Sequence, residues 1–264
     1  MCFPYHAKPP ILPIAGAAID SEDITLTASD GNQFAAYVAR AEEPLGPAIV
    51  VLPDVRGLFP FYEELALRFA ERGYDAIAFD YFGRTAGIGK RAAEFEFRPH
   101  IEQSTFEGVK NDVTACVAYL RADDPNRRAD RHLRPLFREI FTIGFCFGGS
   151  GSWQQAANGH GLSGAIGFYG HPTRENFPGG SPAVVSLVEQ FECPVLALMG
   201  GADQGIPADV VQQYEEVLTA DKHPHEVCVY EGAPHSFFDR GFEEYSAESK
   251  DAWERVLRFI EQYS

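Results

Sequence analysis

Cys146 stands at the centre of FTIGFCFGGSGS, residues 141 to 152, where an apolar run ends among glycines. A thiol at the tip of a sharp strand-to-helix turn can act as a nucleophile. Gly144 and Gly148 would relieve the crowding that such a turn creates. The positive end of the following helix would favour thiolate over thiol. The backbone N–H of Phe147 would face an oxyanion forming on an attacked carbonyl. Glycine-rich strand ends also cradle phosphates, but the lysine and the serine or threonine of a phosphate loop are missing here. Cys116, Cys193 and Cys228 lie in apolar patterns and read as buried packing.

A nucleophilic thiol needs a base, and the base needs a group to orient it. Downstream, Asp203 follows the apolar run in LALMGGADQGIP, and His235 follows the last one in VYEGAPHSFFDRG. The order nucleophile, acid, histidine is that of the α/β-hydrolases. The remaining histidines fit less well. His6 is near the terminus, His100 and His132 fall in polar stretches, His160 in a glycine-rich loop, and His223 and His225 precede the last strand. His171, just past AIGFY, is the best rival for a place near Cys146.

The elements around these residues alternate. DITLTA and QFAAYVAR flank SDGN and predict a hairpin with an Asp-Gly turn. PAIVVLP, YDAIAFD, EIFTIGF, LSGAIGFYG and CPVLALMG are near-continuous apolar runs, as in parallel strands buried on both faces. HEVCVYEG adds an eighth strand. Between them FYEELALRFAERG has helical spacing and stops at Gly73. IEQSTFEGVKNDVTACVAYLRAD reads as one long amphipathic helix, PADVVQQYEEVLTA as a helix with Pro207 near its first turn. SAESKDAWERVLRFIEQY closes the chain as a helix opening on a serine-rich cap. Alternating strands and helices predict a mostly parallel sheet covered on both faces, with ligands beyond the strands' carboxyl ends. RADDPNRRADRHLRP and HPTRENFPGGSP read as excursions. We expect one domain over 1–264, with residues 1–20 as an N-terminal extension.

The chain has 264 residues and a net charge of −16 from 38 acidic and 22 basic residues. That balance disfavours nucleic acid and anionic membranes as partners. No apolar run is long enough to span a bilayer, and the start reads as no secretory signal, which makes the cytoplasm the expected location. Five cysteines without a C-x-x-C pair argue against a disulfide framework or a structural zinc site.

Taken in order, LPDVRGL, FDYFGR, GFCFGG, GFYG, MGGADQGIP and APHSF make the chain resemble the dienelactone hydrolase (carboxymethylenebutenolidase) family from about Ile24 to its end. The resemblance implies an α/β-hydrolase fold and a Cys146, Asp203, His235 triad. It implies Val55 N–H as a second oxyanion donor beside Phe147. Asp54 falls where the family carries a glutamate that interacts with the resting thiol and takes part in its activation. Two arginines would bind a substrate carboxylate: Arg84 after DYFG, and Arg240, displaced by one position. Arg56, beside the oxyanion loop, is a third candidate, and Tyr169 and Tyr81 are candidate pocket walls. The implied reaction is opening of a lactone or activated ester through a cysteine thioester, with a small molecule as partner and neither metal nor organic cofactor. A broader carboxylesterase or thioesterase, and a non-catalytic binding protein on the same scaffold, are the alternatives.

Overall fold

The computed structural model describes residues 4–15, 17, 19–122 and 138–264. Strands β1 (Ile19–Thr27) and β2 (Gln33–Ala41) form the expected antiparallel hairpin. Its turn uses Gly31 at φ +84°, a conformation that costs glycine nothing. Then come β3 (Ala48–Leu52), helix α1 (Pro60–Ala70), β4 (Asp75–Phe79) and two short helices, α2 (Gly83–Ala86) and α3 (Arg98–Ile101). Helix α4 (Phe106–Arg121), β5 (Ile140–Phe145), α5 (Phe147–Gln155), β6 (Gly164–Phe168), β7 (Val195–Gly200), α6 (Ala208–Ala220), β8 (His225–Tyr230) and α7 (Ser246–Gln262) follow, with two short 3-10 turns, Val184–Ser186 and Val188–Gln190, between β6 and β7.

All eight strands join one sheet in the order β1-β2-β4-β3-β5-β6-β7-β8. From β4 to β8 every pairing is parallel. Every residue of β3 to β7 is buried, which is why those strands read as unbroken apolar runs. The chain leaves β3 for β4 on one side and returns as β5 on the other. Loops after β3 and β5 therefore diverge, opening a crevice at the sheet's carboxyl edge, and Val55 and Cys146 sit on those two loops.

Helix α1 ends as the sequence indicates. Gly73 N–H reaches Ala70 O, Tyr74 N–H reaches Phe69 O, and Gly73 takes φ +85°, a Schellman close. Two helix expectations are corrected. The long helix expected over 101–123 breaks at Thr105, whose Oγ1 accepts the Gly108 N–H at 3.1 Å and restarts the chain as α4. Helix α7 starts at Ser246 behind Tyr245 with no side-chain cap, and Ser249 donates to Phe237 O instead.

The described part of the N-terminal extension lies along α1. Ile11 is buried, Tyr5 packs edge-on against Phe59, Lys8 pairs with Glu64, and Ile14 N–H bonds Glu71. The polar excursion at 121–135, with His132, lies almost wholly outside the described residues, as does Cys2. Among the described residues no helix is long and apolar enough to cross a membrane.

Candidate active site

Cys146 occupies the residue between β5 and α5 with φ +56° and ψ −110°. A non-glycine residue there is strained and persists only where its surroundings over-determine it. The surroundings are backbone in close approach. A Cβ on Gly144 would lie 1.8 Å from Gly148 O, and one on Gly148 would lie 2.1 Å from Leu52 O. One on Gly149 would meet Phe168 O at 2.5 Å. Strand β5, helix α5 and the ends of β3 and β6 can converge only because these positions lack side chains. Cys146 N–H donates to Phe168 O at 3.0 Å, fixing the turn to the sheet. Phe147 opens α5, so its amide is one of the first-turn donors without an intrahelical acceptor.

Asp203 and His235 meet on the same edge. Asp203 lies three residues past β7, His235 five past β8. His235 Nδ1 donates to Asp203 Oδ2 at 2.6 Å, and the other carboxylate oxygen accepts Gly205 N–H at 2.8 Å. The Asp203 side chain is 2% exposed and that of His235 35%. A buried carboxylate on Nδ1 fixes the tautomer and leaves Nε2 for a bound molecule.

Cys146, Asp203 and His235 line one cavity of about 460 Å³. Phe147, Tyr169, Phe177, Ile206 and Pro234 supply its apolar wall; His171, Arg174 and Arg240 supply its basic groups. Tyr169, at φ +38°, lays its ring 4.9 Å from the His235 imidazole. Its hydroxyl donates to buried Asp239 at 2.8 Å. Burial holds the His171 imidazole below its ordinary value, with Arg174 adding to the effect and Asp203 opposing it. A thiol, an oriented imidazole, amide donors and cationic side chains around one cavity can together attack a carbonyl and hold an anionic group. Among the described residues no group of three His, Cys, Asp or Glu side chains is gathered as metal ligands would be.

The structure draws Cys146, Phe147, Asp203, His235, Tyr169, His171 and Arg240 together around the cavity, with Val55 on the facing loop; the side chains of Arg84, Arg56, Asp54 and Tyr81 are engaged elsewhere. Arg84 bonds Asp112 at 2.7 and 2.9 Å and Asp30 at 2.8 and 2.9 Å, bracing the β1–β2 turn against α4. Arg56 turns onto Asp54, with Nη2 on Oδ2 at 2.9 Å and its backbone N–H on Oδ1 at 2.9 Å. The Arg56 guanidinium also stacks on Phe59 and faces a separate cavity beside Tyr5. Asp54, 1% exposed, is thus engaged by Arg56. Val55 follows in a loop anchored by Tyr62, whose hydroxyl accepts Asp54 N–H, and by Asp80, which accepts Leu58 N–H. Tyr81 donates to Pro53 O and packs on Phe147 instead of lining the cavity. Sequence reasoning missed Arg174 and Asp239. Arg174 had one available signal: its loop leaves the carboxyl end of a central strand.

Residues 34–264 match the dienelactone hydrolase family. A "putative carboxymethylenebutenolidase" of Escherichia coli O157:H7 is 27% identical, covering 97% of this chain and 94% of its own. A carboxymethylenebutenolidase of Rhodococcus opacus is 28% identical over 85% of this chain and 84% of its own. The crystal structure of a "putative dienelactone hydrolase" from Klebsiella pneumoniae superposes with a TM-score of 0.77 at 28% identity, covering 93% of this chain and all of that one. The chain therefore belongs to the dienelactone hydrolase family of the α/β-hydrolases and is a hydrolase of that kind.

Proposed function

We propose that the protein opens a carboxylate-bearing lactone of the dienelactone type through a thioester on Cys146. The observation that carries this reading is the strained Cys146 turn sharing one cavity with the Asp203–His235 pair. The Cys146 thiolate attacks the lactone carbonyl carbon, and the Phe147 and Val55 amides receive the oxyanion. Such donors are worth about 3–4 kcal/mol each. Collapse breaks the ring C–O bond and expels an enolate, which takes up a proton from solvent, matched by the proton that His235 returns to solvent after deacylation. Water then attacks the thioester carbonyl, His235 accepts its proton under Asp203's orientation, and the C–S bond breaks to restore the thiolate. An enolate leaves more readily than an alkoxide, so a cysteine nucleophile favours activated esters over alkyl esters. Arg240 and Arg174 are the cavity's cationic side chains and would face the carboxylate; planar guanidinium suits that group.

Engagement of Arg84 by Asp112 favours a second reading, a broader esterase without preference for a carboxylate. Loss of cis-dienelactone absorbance, compared with p-nitrophenyl acetate hydrolysis, separates the two. Cys146-dependent turnover of both, faster on the lactone, supports the first; turnover of the neutral ester alone supports the second. Undiminished turnover by Cys146→Ala would refute both.

A further inference from the structure

We propose that Asp239 is a positioning residue that sets His235 and Arg240 together, acting through the Tyr169 ring and the backbone of the 235–241 turn. The proposal builds on the thioester reading, because it assigns His235 a role worth positioning.

Asp239 is 1% exposed, and its two carboxylate oxygens are divided between Tyr169 and the 235–241 turn. Oδ2 accepts the Tyr169 hydroxyl at 2.8 Å, and Oδ1 accepts the Arg240 backbone N–H at 2.5 Å. Tyr169 leaves β6 at φ +38°, and its ring packs on the imidazole at 4.9 Å, inclined by 57°. The turn beyond the histidine is equally constrained. Ser236 has φ +62°, and its carbonyl accepts the N–H groups of Arg240 and Gly241 at 2.9 and 3.0 Å. Two residues in a costly backbone region thus flank the imidazole, and one buried carboxyl bonds to both segments that carry them.

The charged form of that carboxyl is held at a cost. Burial pushes Asp239 up to about 7, and the nearby Asp54 carboxylate adds to the rise. The Tyr169 hydroxyl, the Arg240 N–H and His235 all favour the ionised form. An amide at this position keeps the shape and one acceptor, so it cannot bind the Tyr169 hydroxyl and the Arg240 N–H as the carboxylate does. If Asp239 merely filled the core, that loss would leave the chemistry untouched. If it positions, the imidazole and the arginine move.

The test uses the full chain with Asp239→Asn and Tyr169→Phe, the second retaining the ring and removing only the hydroxyl. Two readouts are taken: kcat and KM on p-nitrophenyl acetate, and the NMR resonance of the His235 imidazole, assigned with His235→Gln. Both variants should lower kcat at least tenfold with little change in KM, and both should shift the His235 resonance through the altered ring current. Unchanged kcat and an unmoved resonance in both would overturn the proposal. Cys146→Ala is measured alongside. If it retains wild-type turnover, the thioester reading fails by itself, and the His235 resonance alone then decides whether Asp239 positions the ring.

Discussion

The Arg84 guanidinium places Nη1 and Nη2 on the two oxygens of Asp112, at 2.7 and 2.9 Å, and Asp112 is completely buried. Asn32 Nδ2 donates to the same carboxylate at 3.0 Å, so hairpin, α2 and α4 are fastened at one point. Burial pushes the Asp112 carboxyl up to about 6, while the Arg84 guanidinium and the Asn32 amide favour its ionised form.

Arg84→Ala should therefore act on stability. Removing one partner of a buried pair costs about 3–5 kcal/mol, and partial exposure of Arg84 puts the loss near the lower figure. Thermal unfolding should register that loss while kcat and KM stay as in wild type. Arg240→Ala should do the reverse, raising KM for a carboxylate-bearing lactone about 10- to 100-fold, the equivalent of one charge-assisted hydrogen bond. Hydrolysis of a neutral ester by that variant should change far less.

Asp203→Asn should keep the fold and lose the chemistry. An amide can present its N–H to Nδ1 and stabilise the wrong tautomer, a change that costs roughly 10³–10⁴-fold in kcat in comparable triads. Steady-state kinetics on p-nitrophenyl acetate would read it, and KM should move little.

Gly148→Ala tests the turn beneath Cys146. The added methyl would lie 2.1 Å from Leu52 O and 2.4 Å from Pro53 O, both backbone atoms that cannot step aside. The loss should sit at the upper end of the about 1–3 kcal/mol typical of overpacking. Cys146 labelling by a thiol probe should change with it, because the turn has to move.

Much of this was readable before folding. Strands β3 to β7 are buried on both faces, so their apolar runs announced themselves, and the Gly-x-Cys-x-Gly-Gly spacing reflects backbone contacts that forbid a Cβ. What was hidden depends on partners distant in the chain. Arg84 meets Asp30 and Asp112, which are 54 and 28 residues away. Arg56 looked like a pocket residue by adjacency to the oxyanion loop, yet Asp54 two residues earlier binds it. Thr105 interrupted an otherwise continuous helical pattern with a single hydroxyl. Asp239 follows two buried phenylalanines in a turn, and nothing local reveals that its Oδ2 meets the Tyr169 hydroxyl, 70 residues earlier.

Asp239 also predicts a pH dependence of stability. Its carboxyl rises from 3.8 to about 7 on folding, so between those values the folded chain holds a proton that the unfolded chain has lost. Stability from this group is complete below pH 4 and declines as pH rises toward 7, by at most roughly 4 kcal/mol. Asp54, Tyr62, Tyr169, His235 and Arg240 surround it, and none of them is altered in Asp239→Asn. Denaturant unfolding at pH 5 and pH 8 should show the variant gaining on wild type at the higher pH. A difference independent of pH would mean that the carboxyl does not titrate in that window.

The central claim is that the substrate acyl group passes through Cys146, and the most direct measurement is the mass of the protein quenched in acid during turnover of p-nitrophenyl acetate. Wild type should gain one acetyl group, mapped by peptide digestion to residues around Cys146. His235→Gln should accumulate it for longer, since deacylation needs the base. An acetyl group found elsewhere, or steady turnover with Cys146 replaced by alanine, would contradict the account.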